Sequence, residues 1–170
     1  MITIRYDFIP YINQVYSFCK KRVSLYKVEE HPEHKDPETD STWPGKRSLN
    51  LSEEEPFLYL QLMNLIENKF NLVFSNYKSI DAYIHLRLKE NDAEDWIHRD
   101  TGDTILIYLS PTNLSSGTSF YSDDDKEIAA IKFVQNSAIF FNGQIKHKSV
   151  SNYGENLEDG RMTINIFCNK

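Results

Sequence analysis

Ile80-Asp81-Ala82-Tyr83-Ile84-His85-Leu86-Arg87-Leu88 alternates apolar and polar side chains without a break. A period of two puts Ile80, Ala82, Ile84, Leu86 and Leu88 on one face of an extended chain and Asp81, Tyr83, His85 and Arg87 on the other. The stretch therefore reads as a strand with a core on one side. Further strand candidates follow at 104–109, 118–122, 128–134, 138–141, 146–153 and 162–168, separated by short polar turns containing Gly or Asp. With 80–88 they suggest about eight short strands and a strand-dominated C-terminal half.

Upstream the period changes. Phe8, Tyr11, Ile12, Val15 and Phe18 recur at helical spacing over residues 7–22, with Lys20, Lys21 and Arg22 where the helix dipole favours cations. A second helix is expected over 52–70, opened by Ser52-Glu53-Glu54-Glu55 as a capping box and Pro56 in the first turn. Residues 29–47 are polar, with Trp43 as their one large ring, and read as a long surface loop or lid. Helices followed by a run of strands predict an α+β, mainly β, architecture. The expected form is a double-stranded β-helix (jelly roll, cupin-like) with N-terminal helices packed on the major sheet. One domain over 1–170 is expected, with helical support at 1–75 and a β core at 78–169.

Composition narrows the function classes. Nineteen basic against 25 acidic residues give a net charge of −6, which repels phosphate backbones, so nucleic acid is disfavoured as a partner. No stretch resembles a signal segment or a membrane span, and Cys19 and Cys168 are too few for a disulfide framework. A soluble, cytoplasmic protein is expected.

The chemistry starts at Trp96-Ile97-His98-Arg99-Asp100. In an extended segment His98 and Asp100 share a face, so an imidazole nitrogen and a carboxylate oxygen can converge while Arg99 points away. A lone His-x-Asp is weak evidence, since short matches arise by chance. His147, 47 residues downstream, is the candidate third ligand. Two imidazoles and one carboxylate on one face of an octahedron leave three positions open, which suits non-haem Fe(II) better than a closed structural zinc site. At the start of the last strand, Arg161 offers a planar fork for a carboxylate, with Asp159 or Glu158 as alternative ion-pair partners, and Thr163 shares its face.

In the order His98-x-Asp100, Gly117-Thr118, His147, Arg161-x-Thr163, residues 80–168 resemble the 2-oxoglutarate- and Fe(II)-dependent dioxygenases, particularly their small prolyl-hydroxylase-like and phage-like members. The resemblance implies Fe(II) on His98, Asp100 and His147. It implies the distal carboxylate of 2-oxoglutarate on Arg161, a phenol from Tyr108 on that same carboxylate, Thr163 as a further hydroxyl, and O2 as co-reactant. The implied reaction is hydroxylation of a small-molecule or peptide substrate coupled to release of succinate and CO2. Two departures stand out: residues 152–159 lengthen the path from His147 to Arg161, and His85-Leu86-Arg87-Leu88 occupies a strand where many relatives carry a Tyr. His85 is left outside the metal set, and Asp123-Asp124-Asp125 reads as a solvated hairpin turn. The competing readings are a cupin-like domain that binds metal or carboxylate without oxidation, and an iron enzyme that does not use 2-oxoglutarate.

Overall fold

The computed structural model describes residues 1–34 and 42–170. The N-terminal part comprises β1 (Ile2–Arg5), α1 (Ile12–Arg22), β2 (Lys46–Arg47), α2 (Leu51–Glu54) and α3 (Pro56–Phe70). The strand-rich part comprises β3 (Ser79–Arg87), β4 (Asp103–Tyr108), β5 (Asn113–Tyr121), β6 (Glu127–Phe133), β7 (Ala138–Asn142), β8 (Lys146–Val150) and β9 (Arg161–Asn169). Every strand pairing is antiparallel, in a six-stranded sheet ordered β1-β7-β4-β9-β3-β2 and a three-stranded sheet ordered β6-β5-β8. The architecture is mainly β, with helices on one side. No helix among the described residues is long and apolar enough to cross a membrane.

Side-chain alternation on the large sheet decides what each face does. Ile105, Ile166 and Ala82 stand side by side across β4, β9 and β3, as do Ile107, Ile164 and Ile84. These residues join Phe8, Cys19, Leu58, Leu62 and Ile66 in the principal core, so the helices cover this face. The intervening residues form rows on the opposite face: Leu106, Asn165 and Tyr83; then Tyr108, Thr163 and His85. That face meets the small sheet through a second cluster of Leu106, Tyr108, Phe120, Phe133, Ile139 and Phe141.

Four details depart from the sequence reading. The first helix begins at Ile12, not at residue 7, because Asp7 and Tyr11 take left-handed backbone conformations (φ 49° and 57°) around Pro10. The second is split. Asn50, not Ser52, is the cap, its side chain accepting from the Ser52 amide at 3.2 Å, and Glu55 leaves the helical region (φ −139°) before α3 restarts at Pro56. The residue before a proline is sterically driven out of the α region, which explains the break. Strand β1 lay unread, although it pairs with β7 from Ile2 opposite Phe141 to Arg5 opposite Ala138.

The segment 29–47 is more built-in than a surface loop. Residues 35–41 lie outside the described residues, but its flanks are anchored. His31 is buried with Nε2 2.8 Å from the Ser48 carbonyl oxygen, and Trp43 is buried. Arg47 exchanges backbone hydrogen bonds with Tyr26 at 2.9 and 2.8 Å and lies opposite His85 in the β2–β3 register. Gly45 permits this approach, with φ +78° and a position where a Cβ would sit 2.4 Å from the Leu86 carbonyl oxygen.

Candidate active site

The segment before β4 runs extended beside β8, with His98 and His147 exchanging backbone hydrogen bonds at 3.0 and 2.9 Å. Their rings therefore lie side by side, centroids 4.4 Å apart. Asp100, two residues on, points the same way. Its Oδ2 lies 3.3 Å from His147 Nε2 and its Oδ1 lies 4.0 Å from His98 Nε2. One ligand atom from each of the three falls within 4.8 Å of the others. The period-two reading of His98-x-Asp100 thus corresponds to real convergence.

Local hydrogen bonds orient all three groups. His98 Nδ1 lies 3.0 Å from the Trp96 carbonyl oxygen and His147 Nδ1 lies 2.8 Å from that of Ile145. A carbonyl can only accept, so each Nδ1 carries the proton and each Nε2 presents a lone pair to the shared point. Asp100 Oδ2 accepts from the Thr104 hydroxyl at 2.7 Å, and the Asp100 amide donates to the Gly143 carbonyl at 2.8 Å. A Cβ at Gly143 would fall 2.6 Å from Asp100 Cβ, so only glycine lets this turn approach. Burial is the largest influence on Asp100 and acts to raise its pKa, but the groups around the carboxylate, the Thr104 hydroxyl among them, outweigh it and hold the carboxyl below its ordinary value. Burial, reinforced by His147, holds His98 below its ordinary value and favours the neutral ring that a metal needs. The donor set fits a divalent metal with open positions.

The triad forms part of the wall of a cavity of about 470 Å3 between the two sheets. Arg161, only 3% exposed, lies in the same wall. Its Nη2 donates to the Gly117 carbonyl at 3.3 Å and to Thr118 Oγ1 at 3.4 Å, while Nε is buried without a partner. The alternative acids are engaged elsewhere. Glu158 pairs with Lys20 at 2.6 Å, and Asp159 Oδ1 accepts from the Glu155 and Asn156 amides. Among the described residues no carboxylate forms an ion pair with Arg161. A buried guanidinium without an anion is costly unless a ligand supplies one.

Tyr108 and Thr163 stand behind this wall. The Tyr108 hydroxyl donates to Thr118 Oγ1 at 2.8 Å, and its ring stacks on Phe133 with centroids 4.2 Å apart. Thr163 lies between Tyr108 and His85 in register and donates to Asn165 Oδ1 at 2.7 Å. Thr118, reached by both Arg161 and Tyr108, is a cavity hydroxyl to which its place in Gly117-Thr118 assigned no role. The turn after His147 is self-contained, with Gly154 at φ +80° and the Gly160 amide bonded to Asn156, so β9 still delivers Arg161 to the wall.

A second network went unrecognised in the sequence. Arg87 and Ser149 both donate to Asp95 Oδ2, and Asn152 Nδ2 adds a contact at 3.3 Å. It ties the segment just before His98 to β3 and to β8, the strand that carries His147. The Asp123–Asp125 turn behaves as expected of a solvated hairpin, its three carboxylates paired with Arg99, Lys126 and Lys146.

No family model matches the chain, and no curated protein matches it in sequence. Solved structures do. A Pseudomonas putida prolyl-4-hydroxylase superposes with a TM-score of 0.63 at 15% identity, covering 99% of this chain and 92% of its own. HygX from Streptomyces hygroscopicus, with nickel, 2-oxoglutarate and hygromycin B bound, gives 0.65 at 10% identity, over 99% of this chain and 83% of its own. The alpha-ketoglutarate-dependent carbocyclase SnoK of nogalamycin biosynthesis gives 0.66 at 11% identity, over 99% and 79%. The chain shares their jelly-roll fold. At these identities the likeness concerns architecture, and the chemistry is argued from the residues.

Proposed function

We propose that the chain is a 2-oxoglutarate- and Fe(II)-dependent oxygenase, a hydroxylase built on a closed double-stranded β-helix spanning 1–170 as one domain. The observation that carries the reading is one cavity holding both a converging His98, Asp100 and His147 and a buried Arg161 with no anion among the described residues. His98, Asp100 and His147 would hold the metal through two Nε2 atoms and a carboxylate oxygen. Arg161 would take the distal carboxylate of 2-oxoglutarate, with Thr118 lining the same end and Tyr108 and Thr163 supporting it from behind. The chemistry that Fe(II) supplies when bound is O2 activation, one oxygen atom entering succinate and the other the substrate as CO2 leaves.

The protein's own contribution is orientation and exclusion of water. The Trp96 and Ile145 carbonyls fix both imidazole tautomers, and Thr104 fixes the Asp100 carboxylate. Phe141, edge-on to the His147 ring at 4.8 Å, and Phe120 at 6.2 Å make the adjoining wall apolar. The substrate would be a small molecule or peptide of the cytoplasm, where the two free, buried cysteines would stay reduced. Anaerobic calorimetry with Mn(II) and then 2-oxoglutarate, followed by aerobic assay of succinate, tests the proposal. Metal-dependent 2-oxoglutarate binding with O2-dependent succinate release is expected. Binding without succinate would instead favour a cupin-like binding domain.

A further inference from the structure

At another part of the same cavity wall stands a second guanidinium that the chemistry above does not use. Arg47 lies against two rings, its Cζ 3.5 Å from the Trp43 centroid and 4.2 Å from that of Tyr83. Trp43, Tyr83 and Arg47 all line the cavity. Cation–π contact with two rings restrains the guanidinium and leaves its N–H groups to make hydrogen bonds. Arg47 forms no ion pair among the described residues, and its Nε is buried without a partner. Two acids that act on Arg47 through space, Glu33 and Asp81, form no ion pair with it: Asp81 accepts from Asn50 and Asn169, and Glu33 accepts from the Asn50 amide.

Beside it, in register on β3, is His85, 5% exposed, lining the cavity with both ring nitrogens buried and unpartnered. An unsatisfied buried imidazole is expensive and calls for a partner. Burial and the nearby Arg47, Arg87 and Arg161 hold its pKa well below the ordinary value, so the ring is neutral and retains one donor. The other cation on this strand, Arg87, is already committed to Asp95.

We propose that Arg47, held by Trp43 and Tyr83, together with His85, forms a second carboxylate subsite, and that the primary substrate is a carboxylate-bearing molecule oriented by it. This rests on the oxygenase reading, in which Arg161 is taken by 2-oxoglutarate. Arg47 would give the substrate carboxylate two parallel hydrogen bonds and His85 a third.

The test uses N-acetyl amino acids against their primary amides, which differ in charge at one group. With Mn(II) and 2-oxoglutarate bound anaerobically, Trp43 fluorescence in the Trp96→Phe variant should change with the acids and be unmoved by the amides. Aerobically, the acids should stimulate succinate formation, and Arg47→Met should raise their KM by about tenfold or more, with Arg47→Lys intermediate. Equal response to acids and amides overturns the proposal, as does no response to either. A loss of thermal stability in Arg47→Met with an unchanged acid-to-amide ratio also overturns it, assigning Arg47 to structure alone. Failure of the oxygenase reading shows separately, as wild-type protein that binds no 2-oxoglutarate. The acid–amide contrast in Trp43 fluorescence, measured without 2-oxoglutarate and expected to survive Arg161→Met, then still decides the subsite.

Discussion

The two faces of the six-stranded sheet are made by the same strands and do opposite work. On the helix side, Ile84, Ile105, Ile107, Ile164 and Ile166 are fully buried among apolar neighbours. On the cavity side, alternate residues of those strands are Thr104, His85, Thr163 and Arg161, also buried but polar. Burying an isoleucine contributes about 1.5–3 kcal/mol, whereas burying an unpaired charge or imidazole costs stability. The difference teaches that the helix side makes the fold and that the cavity side draws on that stability to keep polar groups dry and ready for ligands.

The comparison is most easily broken on the helix side. Ile164→Ala should lower unfolding free energy by about 2–5 kcal/mol in urea denaturation, while the folded protein keeps its Mn(II) affinity. Opposite behaviour is expected across the sheet. His98→Ala, Asp100→Ala and His147→Ala should each weaken Mn(II) binding by more than about 100-fold in calorimetry, since even supporting residues of metal ligands are commonly worth 10–100-fold. Metal-free stability should move by less than about 1 kcal/mol in each. Undiminished affinity in any one removes that residue from the triad.

Arg161 sharpens the contrast further. Arg161→Lys keeps the charge but loses the fork, and should weaken 2-oxoglutarate about tenfold. Arg161→Met should remove that binding yet leave ligand-free stability equal or higher, because it deletes a buried charge lacking an anion among the described residues. A strongly destabilised Arg161→Met would mean that the guanidinium serves the fold, not a ligand.

These contrasts were unevenly legible in the sequence. Alternation at 80–88 gave away β3 and both faces, because a two-residue period is written directly in the chain. His98, Asp100 and His147 were legible because two of them are neighbours on one extended face and the third follows a strand. Strand β1 was not, since four residues carry little pattern and their partner β7 lies more than 130 residues away in sequence. Arg47 and Trp43 were hidden inside a polar composition, and only pairing of β2 with β3 turns that segment toward the cavity. His85 was placed on the polar face by its alternation, but its lack of partners depends on what surrounds it across three strands. Likewise, Asp95 meets Arg87 and Ser149 only through long-range contacts, which no local spacing encodes.

That Asp95 network supplies the smallest expected effect, a pH dependence on the cavity side alone. Burial, the largest influence, acts to raise the Asp95 pKa, but Arg87, Ser149 and Asn152 together outweigh it, so the carboxyl sits below its ordinary value of 3.8. A depressed folded-state value means that the unfolded chain takes up the proton first as acid is added. The stabilisation from this ionisation is therefore fully present above the unfolded value and declines as the pH falls through about 4 toward the folded one. Asp95→Asn keeps the shape and removes the titration. The stability gap between wild type and variant should hold constant from about pH 5 to pH 7 and narrow below about pH 4, read from urea midpoints at each pH. Ile164→Ala, on the helix side, should show a gap from wild type that stays flat over the same range. If the Asp95→Asn gap also stays flat down to about pH 3, the Asp95 carboxylate is not the group that couples the segment before His98 to protons.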